Sequence, residues 1–164
     1  MESRAKLFGH PIHQMLIVFP LGLLATSLFF DVIALATDNS GLLHASWYMI
    51  AAGVLSGLVA AVFGAIDYFA IPQGTRAKRI GTMHGAGNVV VIVLFAASWL
   101  LRRQSPADPG MFAIALSALG ATLGGVTGWL GGELVDRLGV GVDDGANLDA
   151  PSSLSVESPA RERT

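Results

Sequence analysis

Gly9-His10-Pro11-Ile12-His13-Gln14 leads straight into an apolar run, Met15 to Ala36, in which Asp31 is the one charged residue. A hydrocarbon core ~30 Å thick needs about 20 helical residues to cross it, and this run is long enough. Three more stretches match it, about Ser46–Phe69, Thr82–Leu101 and Met111–Val135. Helix breakers separate them: Asp38-Asn39-Ser40-Gly41, Pro72-Gln73-Gly74 and Ser105-Pro106-Ala107-Asp108-Pro109-Gly110. Short connections between long apolar segments predict an all-α protein, a polytopic four-helix bundle running up and down through a membrane. A transmembrane barrel would show short alternating segments instead.

Composition agrees. Of 164 residues, 52% are hydrophobic and 13% charged, about half the charge of a soluble domain, and the mean hydropathy is +0.60. The net charge of -2 gives no electrostatic support to a nucleic-acid partner. The chain has no cysteine, which removes disulfides, thiol catalysis and Cys-ligated metals together. A cleaved signal peptide ending near Ala34-Leu35-Ala36 is not expected, because the apolar run exceeds the usual length and Asp31 interrupts it.

Cations set the orientation. Arg4, Lys6, Arg76, Lys78, Arg79, Arg137, Arg161 and Arg163 fall on one side, Arg102 and Arg103 on the other. The positive-inside rule then predicts cytoplasmic termini. Residues 1–14 read as an N-terminal interfacial segment and 15–138 as the membrane domain. Residues 139–164, where Asp143, Asp144, Asp149, Glu157 and Glu162 mix with Pro, Ser and Ala, read as a disordered cytoplasmic tail.

Small residues mark packing faces. Gly53, Gly57 and Gly64 lie on the second helix, and Gly120, Gly124, Gly128 and Gly132 recur every fourth residue on the last. Such faces let membrane helices approach closely, within the bundle or across a homodimer. Pro20 should kink the first helix.

Depth gathers the polar residues. In an up-down bundle His10, His13, Asp67, His84 and Glu133 share one layer on the cytoplasmic side, with Asn88 one turn behind His84. His13 with Asp67 and His84 with Glu133 give each half of the chain a histidine near its start and a carboxylate near its end. That pattern predicts parallel repeats about an axis along the membrane normal. Imidazoles with carboxylates suit a transition-metal ion, and two imidazoles suit haem b. On the opposite side, Asp31 is expected to pair with His44.

Gly9-His10-Pro11-Ile12-His13 and its apolar continuation, Asp67 with Ile71-Pro72 and Gly74-Thr75-Arg76-Ala77, His84 with Asn88, and Gly128-Trp129-Leu130-Gly131-Gly132-Glu133-Leu134 are similar to the motifs of a bacterial membrane family, domain of unknown function 2231. The resemblance spans about residues 5–142. It implies a four-helix inner-membrane protein without an established activity. Some relatives are joined to Rieske-type iron–sulfur domains, which implies redox work with a protein partner. Relatives carry a histidine shortly after the Glu133 motif, where this chain has Asp136-Arg137-Leu138. The expectation is a bilayer protein whose His/carboxylate layer holds a metal or haem, with a redox role. The alternative is a non-catalytic scaffold or small transporter packing through its glycine faces.

Overall fold

A computed structural model of the chain describes residues 1–155. Glu157, Arg161, Glu162 and Arg163, counted above in the tail and among the cations, lie outside the described residues. A short hairpin, β1 (Lys6–Leu7) and β2 (His10–Pro11), precedes the helices α1 (Ile12–Leu16), α2 (Val18–Thr37), α3 (Ser40–Ala70), α4 (Arg76–Arg102) and α5 (Met111–Gly132). A π-helical turn over Glu133–Arg137 continues α5.

α1 and α2 form one span, interrupted at Ile17. Pro20 has no N–H, so the carbonyl of Leu16 loses its partner four residues on. The hydrogen bonds on either side survive, Ile17 N–H to the His13 carbonyl and Leu21 N–H to that of Ile17, both 3.1 Å. The expected kink is this break. The four breakers expected after α2 shrink to two residues. Asp38 closes α2 in the left-handed region, and the Asn39 side chain accepts from Gly41 N–H, so α3 already begins at Ser40. Thr75 caps α4 by accepting from Lys78 N–H.

Each span is long and apolar enough to cross a membrane, and consecutive spans pack side by side, the first closing on the fourth. Phe29, Val62, Val93 and Leu119 face outward, each more than half exposed. Without a hydrophobic drive between helices in lipid, the interior depends on close approach and polar contacts. Leu24, Ile50, Val91 and Phe95 form a small apolar core at mid-depth.

The interior repeats. A spacing of 71 residues relates Asp31 to Arg102. The same spacing relates His13 to His84, Leu24 to Phe95, Ser27 to Ser98 and Ser46 to Ser117. The chain thus divides into two helical hairpins, α1–α3 and α4–α5, in which these interior positions recur at one spacing.

Beyond the π-helical turn the chain does not leave the bundle at once, contrary to the expected tail from residue 139. Gly139, at φ +62°, turns it back so that Val140 N–H reaches the Leu134 carbonyl at 2.8 Å. Val140 is buried with Ile71 and Leu134, and Gly141 N–H bonds the Met1 carbonyl. Asp144 N–H and Lys6 both meet Glu2, and Lys6 also meets Asp143. The hydrogen bond from the Lys6 ammonium holds the Glu2 carboxyl below its usual range.

Candidate functional site

Two polar layers lie inside the bundle, one at each end, with the apolar core between them. The layer away from the termini is built on Asp31 and Arg102, both fully buried. Arg102 Nη1 donates to Asp31 Oδ1 at 2.8 Å and Nη2 to Oδ2 at 2.7 Å. Nη1 also reaches Ser46, Nη2 reaches Ser117, and Nε reaches Ser98. All five guanidinium N–H groups therefore have an acceptor, and the acceptors come from all four spans. Ser98 in turn donates to the Ala113 carbonyl.

The expected Asp31–His44 pair is incorrect. With α3 starting at Ser40, His44 sits on its exposed outer face and stacks on Tyr48, ring centroids 5.2 Å apart. Arg102, counted above as a far-side surface cation, turns inward instead.

The layer at the termini end is less unified than its five expected members. His13 and His84 do converge, with ring centroids 6.4 Å apart and planes at 89°. Both are half-buried. Each ring is held by the other helix of its own hairpin: His13 Nδ1 lies 2.8 Å from the Ala60 carbonyl, and His84 Nδ1 lies 2.8 Å from that of Thr127. Since a carbonyl only accepts, each Nδ1 carries the proton and each Nε2 keeps its lone pair. Glycine one turn beyond each carbonyl makes room for the ring. A Cβ on Gly64 would stand 2.8 Å from His13 Cε1, and one on Gly131 would stand 3.2 Å from His84 Cε1. Asn88 lies beside His84, its Nδ2 3.2 Å from Nε2, and accepts from Thr127 Oγ1.

His10, Asp67 and Glu133 do not join the pair. His10 is exposed on β2 and faces Ser153. Asp67 accepts from the Ser3 hydroxyl at 2.9 and 2.8 Å and from Arg4 N–H at 2.7 Å, tying the N-terminal segment to the end of α3. Glu133 is ion-paired with Arg76 at 2.6 Å. Among the described residues no three His, Asp or Glu side chains stand close enough to share a metal ion. The expected five-residue site does not form, because helix-end carboxylates are the first acceptors that a neighbouring chain start meets.

The glycines divide as well. Gly53 meets Leu24, Gly57 meets Ile92 and Pro20, Gly64 meets His13, and Gly120 meets Phe95, all within the bundle. Gly124 touches only Val91, at 4.0 Å; Gly128 faces open space, and Gly132 meets only Asp136 of its own turn. The regular stripe on α5 is therefore not one packing face. Gly87, against Thr127, and Gly131 are closer approaches that the every-fourth pattern does not pick out.

No curated protein and no solved structure matches the chain. A family model described as predicted membrane protein, DUF2231, matches residues 9–144, which include His13, His84, the Asp31–Arg102 pair and all four spans, and the chain belongs to that family.

Proposed function

We propose that the bundle holds one transition-metal centre, a bare ion or the iron of haem b, between His13 and His84, and serves as a membrane redox subunit. The observation that carries this reading is the imidazole pair itself. Histidines that bind metals ordinarily donate their other ring N–H to a carbonyl or carboxylate, which fixes the tautomer, and both rings here have that arrangement. The two ring centroids stand 6.4 Å apart, and His13 and His84 would hold the centre, which would supply the electron-transfer chemistry. Asn88 Nδ2, 3.2 Å from His84 Nε2, would have to give up that contact for the Nε2 lone pair to meet an ion. Asp67 and Glu133 are left to hold chain segments.

The transporter alternative loses support from Leu24, Ile50, Val91 and Phe95, which are buried between the polar layers where a solute path would have to run. The scaffold alternative loses Gly53, Gly57, Gly64 and Gly120, already occupied from within. A homodimer would be left the open stretch of α5 at Gly124 and Gly128. Placing the termini and the histidine pair on the cytoplasmic side of an inner membrane rests on the distribution of cations, and the inward turn of Arg102 leaves Arg103 as the far-side surface cation. Metal analysis and an absorption spectrum of the purified protein test the reading.

A further inference from the structure

Outside the spans, the tip of the hairpin exposes two adjacent large apolar side chains at the termini end. Phe8 and Gly9 form a two-residue turn with φ of +50° and +86°, a geometry that Asn-Gly ordinarily fills. A bulky aromatic residue is strained there, yet Phe8 also leaves its ring 72% exposed, with Leu7 beside it at 46%. Phe8, His10, Ser153 and Leu154 border a shallow apolar cleft of about 220 Å³. In water this turn would carry both backbone strain and apolar exposure.

Its position relates the two. The first span begins at Ile12, whose N–H bonds the Ala5 carbonyl at 2.9 Å and pins the base of the hairpin to the span. At ~3.3 Å per extended residue, Phe8 stays within roughly 13 Å of Ile12, inside or beside the headgroup region. Met15, Val18 and Phe19 face outward at the start of the same span. Arg4, on the same segment, is exposed and suits anionic headgroups.

We propose that Leu7 and Phe8 form an interfacial anchor that inserts into the headgroup–acyl boundary of the leaflet on the termini side, its partner being the lipid surface. The anchor fixes the height of the hairpin, and with it the start of the span that carries His13, against the membrane plane. This inference stands whether or not the histidine pair binds a metal.

The absence of cysteine allows single-site labelling. Phe8→Cys, Val18→Cys and Leu148→Cys would each carry a nitroxide in vesicles of phosphatidylcholine with phosphatidylglycerol. Collision with oxygen, concentrated in lipid, is compared with collision with a water-soluble nickel chelate. The expected oxygen-to-nickel ratio at Phe8 is several-fold above that at Leu148, which is fully exposed, and approaches that at Val18. A ratio at Phe8 equal to that at Leu148 overturns the proposal. So does shielding from both reagents, which would mean that protein covers the tip. Leu7→Cys repeats the measurement if Phe8→Cys fails to accumulate.

Discussion

Asp31 and Arg102 stand 71 residues apart in the chain and meet through two parallel hydrogen bonds of 2.8 and 2.7 Å. They hold equivalent places in the two hairpins, so one pseudo-symmetric position is an acid and its counterpart a base. Two of the serines that complete the site, Ser46 and Ser117, are themselves 71 residues apart, and the third, Ser98, has its counterpart in Ser27, which bonds the Leu24 carbonyl instead. In two identical hairpins this position would bring like charges together. The opposite charges here make the two halves complementary.

That symmetry gives a test. Asp31→Leu or Arg102→Leu alone leaves a buried charge without its partner and should cost about 3–5 kcal/mol. Asp31→Asn should cost less than Asp31→Leu, because the amide still accepts from Arg102. The exchanged pair, Asp31→Arg with Arg102→Asp, should recover most of the loss, since Ser27 would face the relocated guanidinium as Ser98 faces that of the parent. Thermal unfolding in detergent reads all four; a double variant no better than the singles would refute the equivalence.

Gly64 and Gly131 are predicted to be intolerant for one shared reason. A methyl on either meets an imidazole ring at 2.8 or 3.2 Å, and overpacking costs typically 1–3 kcal/mol. Gly128→Ala, facing open space, should fall within about 0.5 kcal/mol of the parent. Unfolding midpoints in lipid nanodiscs would separate the three, and equal midpoints would argue against the packing described.

Much of this fold is legible in the sequence because length and hydropathy alone decide a span. The interruption near Pro20 follows from a missing N–H. The repeat could be read only faintly, since membrane-facing positions accept any apolar residue and blur similarity, leaving His13 and His84 as its visible marks. Arg102 could be read from the sequence only as a cation on the far side, because it ends an apolar run. Its inward turn depends on Asp31 lying across the bundle, a contact between diagonal spans that no local pattern encodes. Asp67 and Glu133 find other partners than the histidines: the hydroxyl of Ser3 and the guanidinium of Arg76 reach them first.

Asp67 should matter to the N-terminal segment more than to the spans. Asp67→Ala removes the acceptor of the Ser3 hydroxyl and of Arg4 N–H, a loss of about 1–3 kcal/mol confined to local opening. Hydrogen exchange at Arg4 should accelerate about tenfold or more, while the α3 amides near Ile50 keep their protection. Unchanged exchange at Arg4 would show that the segment is held elsewhere.

Orientation can be read with single cysteines. A membrane-impermeant maleimide should label Asn39→Cys in intact spheroplasts, and Leu148→Cys only after permeabilisation. The reverse pattern would put the histidine layer on the outer side, where a cytoplasmic redox partner could not reach it.

The histidine pair makes the sharpest prediction, because the two layers give it internal controls. If His13 and His84 ligate one centre, His13→Ala and His84→Ala should each lose the metal, or abolish a Soret band if the centre is haem. His10→Ala, Asp67→Asn and Glu133→Gln should keep it, since those side chains face Ser153, Ser3 and Arg76. His44→Ala, at the other end of the bundle, should also keep it. Binding should weaken as pH falls, because a proton competes with the metal for each Nε2 lone pair. Protein purified from metal-supplemented membranes that carries neither ion nor chromophore would overturn the redox reading. Retention of the centre in both His13→Ala and His84→Ala would overturn the choice of ligands while leaving a metal elsewhere to be found.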